Sequence, residues 1–196
     1  MGIIRYRAFM TKMKEFWVFG YGSLMWRPGF AHVGSEPALI RGYHRRLCVK
    51  SHVHRGTPLA PGLVLGLDRG GSCSGLAYRV EAAMWDRTLA YLRAREQVTM
   101  VYREAVRPVR LLRSGGVVEA LTYLVDRKHP QYAGSLSDDE LLALIRQGQG
   151  ISGRCVDYVV SALTHLRSMD IHDMRLETLS RYLEAQAAQS ANGAGS

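Results

Sequence analysis

Phe16-Trp-Val-Phe-Gly-Tyr-Gly-Ser-Leu-Met-Trp26 begins as a short apolar run and passes into two glycines that flank a tyrosine, with a serine after them. An apolar run bounded by glycine reads as a buried strand, Phe16 to Phe19, entering a tight loop over Gly20 to Leu24. Glycine admits backbone conformations closed to other residues and leaves the main chain uncovered. Such a bend can aim successive N–H groups into one concavity, which suits an anionic group. On spacing alone, an ordinary strand-to-loop corner explains the stretch equally well.

Strand-like segments continue through the first two-thirds of the chain. Leu47 to Val53, Leu63 to Leu67 and Leu76 to Val80 are short and separated by Gly, Pro or Ser. Ala82 to Arg95 reads as a helix, with Met84, Leu89 and Leu92 among its apolar positions. Met100 to Leu112 and Val117 to Val125 are two further strands joined by Arg113-Ser-Gly-Gly116, a hairpin signal. Pro108 lacks an N–H and places the first of them at an edge or a bulge.

The last third turns helical. Ser137-Asp-Asp-Glu140 offers an N-cap and acids for the first turn of a helix over Leu141 to Gln147, which Gly148 stops. Val156 to Leu166 and Leu176 to Ala188 repeat apolar residues at helical spacing. Strands first and helices later indicate an α+β fold. The expected organisation is an N-terminal extension over 1–15, a single domain over 16–189 and a disordered tail over 190–196, where Ser190 to Ser196 has nothing to bury.

A chain of 196 residues that is 47% hydrophobic and 22% charged suits one soluble domain with a real core. No apolar stretch approaches the length of a membrane span, and the first residues lack a signal-peptide core, so the cytoplasm is the expected location and no membrane partner is expected. Cys48, Cys73 and Cys155 are scattered and odd in number, which argues against a disulfide framework and for a reducing compartment. No metal is expected, since neither the cysteines nor the seven histidines fall at ligand spacing. The net charge of +9 raises the reading of a basic nucleic-acid-binding module, but the arginines are spread out with no sustained run, and no nucleic acid is expected. Arg41, Arg45, Arg46, Lys50, His52, His54 and Arg55 form the densest cluster, alternating with Leu47, Val49 and Val53. That alternation reads as a half-buried strand with one basic face, either solvated or forming a rim that attracts an anion.

Phe19-Gly20-Tyr21-Gly22-Ser23-Leu24, followed by Trp26-Arg27-Pro28 and Phe30, resembles the opening motif of the ChaC family, γ-glutamylcyclotransferases acting on glutathione. Arg41 to Leu47, His54 to Pro58, Pro61 to Leu67, Gly75 to Val80, Arg95-Glu96 and Gly150 to Tyr158 resemble that family in order and spacing, over residues 16 to 168. The resemblance implies the γ-glutamylcyclotransferase-like fold, a small mixed barrel-like sheet of about five or six strands flanked by helices. It also implies a lyase without cofactor whose partner is a small molecule, glutathione. Other γ-glutamyl amino acids or amines are the alternative substrates.

The implied reaction is intramolecular: the glutamyl α-amine attacks its own γ-carbonyl, closes 5-oxoproline and expels Cys-Gly. Orientation supplies much of the catalysis, and one carboxylate can take the first proton and deliver the second. Glu96 is the candidate, because it ends the helix after Arg95 and the family's catalytic glutamate stands at this Arg-Glu position. Glu104 also follows an arginine, Arg103, but sits among alternating strand residues, where exposure is the commoner fate. The resemblance implies that Gly20, Tyr21, Gly22, Ser23, Leu24 and Met25 hold the substrate α-carboxylate through main-chain N–H groups. Ser23 has no readable Ser-His-Asp arrangement and suits a hydrogen-bonding role. Tyr21 either offers its hydroxyl or packs its ring. Tyr158 is a core tyrosine by its own neighbours, whereas related cyclotransferases place a tyrosine here against substrate. Arg154-Cys155-Val156-Asp157 departs from the family's usual Pro-Asn-rich wording before it.

Overall fold

A computed structural model describes residues 15–193, by backbone alone at 184 and 186–193. The expected N-terminal extension lies outside the described residues except for Glu15, which opens the first strand, β1 (Glu15–Gly20). Four more strands follow: β2 (Gly34–Ser51), β3 (Gly62–Glu81), β4 (Tyr102–Leu111) and β5 (Val117–Val125). They close a barrel in the order β1-β3-β2-β4-β5. β1 runs antiparallel to β3 from Glu15↔Glu81 to Gly20↔Leu76, and parallel to β5 at Trp17↔Ala120 and Val18↔Leu121.

Two strands are longer than the sequence suggests. β3 joins the expected Leu63–Leu67 and Leu76–Val80 segments through an exposed stretch that reads as a loop. Gly70 and Gly71 take φ of +104° and +68° there. Glycine lets the strand bend sharply while its pairing resumes, so the sequence looks broken where the structure is continuous. β2 begins at Gly34, well before the expected Leu47, and likewise carries a bend at Gly42, φ +82°. Pro108 is not at an edge, since a closed ring has none. The β2–β4 register runs from Ala38↔Leu111 to Ile40↔Val109 and stops beside it. The Gly-Gly hairpin forms as expected: the Leu111 N–H donates to the Gly116 carbonyl at 2.8 Å, with Gly115 at φ +81°.

The described residues separate into two compact units within the stretch read from sequence as one domain. The first contains 15–44 and Arg69–Leu124. Its core follows the period-two alternation of strands. Phe16 and Val18 of β1, Tyr78 and Val80 of β3, and Leu121 and Tyr123 of β5 cluster with Trp85 and Leu92 of the first helix, α1 (Trp85–Glu96). A 3-10 turn, Ala82–Met84, leads into α1, and Trp85 stacks on Phe16 at 4.6 Å between centroids. Each such apolar side chain taken from water contributes about 1.5–3 kcal/mol.

The second unit contains Arg45–Asp68 and residues 125–193. It holds α2 (Asp138–Gln147), α3 (Cys155–Ser168), α4 (Met174–Gly193) and a two-stranded ribbon, β6 (Gln149–Gly150) and β7 (Gly153–Arg154). Ser137 caps α2 in a full capping box with Glu140, whose carboxyl is held below its usual range by the Ser137 N–H. α4 runs on past Ala188 through Gly193, so 190–193 of the expected disordered tail are helical and 194–196 lie outside the described residues.

The basic cluster is neither a solvated strand face nor an anion-collecting rim at Arg45 and Arg46. Arg45 is buried and lies 3.5 Å from Asp173, and Arg46 lies 3.8 Å from Asp68. Asp68, fully buried, also accepts from Arg127 Nε at 2.6 Å and from the Tyr132 hydroxyl at 2.8 Å. A carboxylate withdrawn from water needs such partners, and these arginines are spent on internal acids. β2 ends at Ser51, so Val53 falls in a bend and is exposed.

Candidate active site

β1 delivers the chain to its glycine bend through a close approach of two strands. A Cβ on Gly75 of β3 would overlap the Gly20 carbonyl oxygen, and one on Gly20 would press Leu24 Cβ at 3.1 Å. Neither Gly20 nor Gly22 has a positive φ; Gly22 sits at φ −132°, ψ −133°. The bend therefore uses Gly20 for room and not for a left-handed backbone. Ser23–Met25 then forms a single 3-10 turn.

The hydrogen bonds of this turn sort its N–H groups. Met25 N–H donates to the Gly22 carbonyl at 2.8 Å, and the N–H groups of Trp26 and Arg27 both point to the Ser23 carbonyl. On the far side, the Tyr78 hydroxyl reaches the carbonyls of Leu24 at 2.9 Å and Met25 at 2.8 Å. Burial pushes that phenol up to about 12, so it stays a donor. Met25 is thereby removed from the expected set of main-chain donors. The first N–H groups of a helical turn have no partner inside it, so Gly22, Ser23 and Leu24 are the candidates that the turn itself supplies. Tyr21, Leu24 and Met25 bury their side chains, and Leu24 belongs to the core cluster with Tyr78.

Glu96 closes α1. Trp85, Thr88 and Leu92 are the buried residues of that helix, and Glu96 falls four residues past Leu92 on the same stripe. An ionisable group thus occupies a core-facing position, with its side chain only 16% exposed. Burial pushes the carboxyl up from its ordinary value, and the Arg95 guanidinium beside it pulls the other way. Arg95 Nε lies 3.2 Å from Glu96 Oε1, while Arg95 Nη2 donates to Ser23 Oγ at 2.8 Å. One guanidinium therefore brings Glu96 and the Ser23 turn together across a large separation in sequence. Neither residue's local pattern announces that link; the one hint is Tyr91, four residues before Arg95, whose hydroxyl also accepts from it at 2.9 Å.

Glu104 has a different environment. Arg93 grips it through Nε at 2.7 Å and Nη2 at 2.9 Å, so both carboxylate oxygens are held, and the side chain is half-buried instead of exposed. Tyr158 belongs to the second unit, in the first turn of α3. Its hydroxyl accepts from the Leu65 N–H at 3.2 Å, and the Arg55 guanidinium carbon lies 5.3 Å from its ring centroid. Cys155, at the start of α3, is buried and exchanges hydrogen bonds with the Leu63 main chain. Among the described residues no group of three His, Cys, Asp or Glu is placed to hold a metal, and no helix is long and apolar enough to cross a membrane.

The family of ChaC-like proteins matches residues 16–186, from β1 into α4 and across both units. The chain belongs to the ChaC family. Among ChaC relatives, it is 32% identical to the glutathione-specific γ-glutamylcyclotransferase of Escherichia coli, over 83% of this chain and 70% of that one. It is 34% identical to the human glutathione-specific γ-glutamylcyclotransferase 1, over 74% of this chain and 66% of the relative. A crystal structure of the yeast γ-glutamyl cyclotransferase specific to glutathione superposes with a TM-score of 0.79 at 23% identity, covering 88% of this chain and 97% of that one. The α+β barrel is thus the ChaC fold, and the family match reaches beyond Ser168, where the sequence motifs end, into α4.

Proposed function

We propose that this protein cleaves glutathione by cyclising its γ-glutamyl group to 5-oxoproline and releasing Cys-Gly. The observation that carries the reading is the largely buried Glu96 carboxylate, joined through Arg95 to the Ser23 turn. In this reading the N–H groups of Gly22, Ser23 and Leu24 receive the glutamyl α-carboxylate, and Ser23 serves as a hydrogen-bonding partner and not a nucleophile. Holding amine and γ-carbonyl of one molecule in contact supplies roughly 7 to 11 kcal/mol in well-oriented systems.

Glu96 then accepts a proton from the α-amine as its nitrogen bonds to the γ-carbon. The same carboxyl returns the proton to the departing cysteinyl nitrogen as the old amide bond breaks, so no proton or electron is left over. General acid–base action of this kind contributes about 10²–10⁴-fold. Burial supports the role, because a carboxyl pushed upward holds a proton more readily between the two nitrogens. Three cysteines, buried and scattered along the chain, support a reducing compartment, and the proposed location is the cytoplasm.

Incubation with glutathione and mass spectrometry of the products tests the reading. Wild type yields 5-oxoproline and Cys-Gly, and Glu96→Gln yields neither while keeping its fold. A fully active Glu96→Gln removes Glu96 from the role. A γ-glutamyl-alanine arm separates substrates: preference for that dipeptide overturns glutathione as the substrate.

A further inference from the structure

Arg95 spends its guanidinium in four directions. Nε faces Glu96 Oε1 at 3.2 Å, Nη2 donates to Ser23 Oγ at 2.8 Å, and Nη1 donates to the Tyr91 hydroxyl at 2.9 Å and to the Arg27 carbonyl. Two of these partners lie on α1 and two on the segment that follows β1. A guanidinium is a flat fork with fixed donor directions, so it transmits geometry as well as charge, whereas a lysine ammonium is a point charge on a flexible stem. With its side chain 23% exposed, Arg95 is sheltered enough for that geometry to persist.

We infer that Arg95 is the positioning residue of this site, its fork fixing the Glu96 carboxylate relative to the Ser23 turn. The inference rests on the cyclisation proposed above. The acid that moves the proton and the N–H groups that seat the α-carboxylate must act on one small molecule at once. A displacement of about 1 Å between such groups costs about 100-fold in rate. Of the groups that meet at Glu96, Arg95 carries the charge. Tyr91 from the same helix and the Ser23 hydroxyl and Arg27 carbonyl from the turn are neutral and reach Glu96 through Arg95. Arg95 draws the Glu96 carboxyl down against burial, so its removal moves the titration of Glu96 to higher pH.

The test uses the full chain as wild type, Arg95→Gln and Arg95→Lys. It reads kcat and KM on glutathione, the pH profile of kcat, the thermal midpoint, and the ¹³C NMR titration of the Glu96 carboxyl assigned with Glu96→Gln. Arg95→Gln is expected to lower kcat by about 100-fold with KM changed less than about threefold. The acid limb of its profile and the NMR midpoint move to higher pH. Arg95→Lys keeps the NMR midpoint near wild type while kcat stays well below it, because the charge is restored and the fork is not. A merely structural role lowers the thermal midpoint and leaves the Glu96 titration unmoved, which overturns the inference, as does full kcat in Arg95→Lys. A wild type inactive on every γ-glutamyl compound sinks the proposed function instead, and the NMR titration still decides whether Arg95 acts on Glu96.

Discussion

Gly75 of β3 lies against the carbonyl of Gly20 at the end of β1, leaving no space for a side chain between the two strands. A Cβ at position 75 would overlap that oxygen and meet the Phe19 ring at 2.8 Å. Backbone and a core ring give way poorly, so Gly75→Ala is expected to destabilise the fold by about 1–3 kcal/mol. Because Gly20 feeds the Ser23 turn, activity falls with it. A urea midpoint equal to that of wild type counts against this packing.

Tyr78 fixes the other side of the same turn by meeting the Leu24 and Met25 carbonyls from within the core. Tyr78→Phe keeps the ring and removes the donor, leaving two carbonyls short of a partner at a cost of about 1–3 kcal/mol. In the proposed function, the turn then holds its N–H groups less firmly for the glutamyl α-carboxylate. That loss acts on ground state and transition state alike, so KM rises while kcat changes little. Steady-state kinetics showing the reverse pattern would place the effect on the chemical step.

Much of this architecture can be read along the chain, and the exceptions share a cause. β1, the Gly-Gly hairpin and the Ser137 cap depend on neighbours within a few residues, which sequence displays directly. β3 does not, because Gly70 and Gly71 look like a loop until the barrel supplies partners on both sides. Glu96 is legible as the second half of an Arg-Glu motif at a helix end, whereas its place on the buried stripe of α1 shows only in the fold. Its link to Ser23 is not legible, since nothing local to either residue shows that Arg95 spans them. The opposite error occurs at Arg45 and Arg46, whose cluster reads as a basic face or rim, yet they pair with Asp173 and Asp68.

Glu104 offers the sharpest control for the assignment of Glu96. Both of its oxygens are held by Arg93, and the arginine is about half exposed, 47%, so the pair is worth only about 0.2–1 kcal/mol. Glu104→Gln is expected to retain 5-oxoproline formation within about twofold while Glu96→Gln loses it. Loss of activity in a folded Glu104→Gln, with Glu96→Gln active, would exchange their roles.

Glu96 also marks stability with pH. Its carboxyl titrates above the ordinary value in the folded protein, because burial disfavours the ion more than Arg95 favours it. Between the unfolded and folded values the native state binds the extra proton. The stabilising contribution of the protonated group is therefore complete below the unfolded value and disappears as pH rises through the folded one. Glutamine cannot ionise and escapes this loss. The stability of Glu96→Gln relative to wild type is thus expected to rise from about pH 4 to about pH 7, measured as the difference of urea midpoints so that other carboxylates cancel. A difference that stays flat, or that falls with pH, would mean that Arg95 outweighs burial and that the acid at position 96 is an ordinary ion-paired carboxylate.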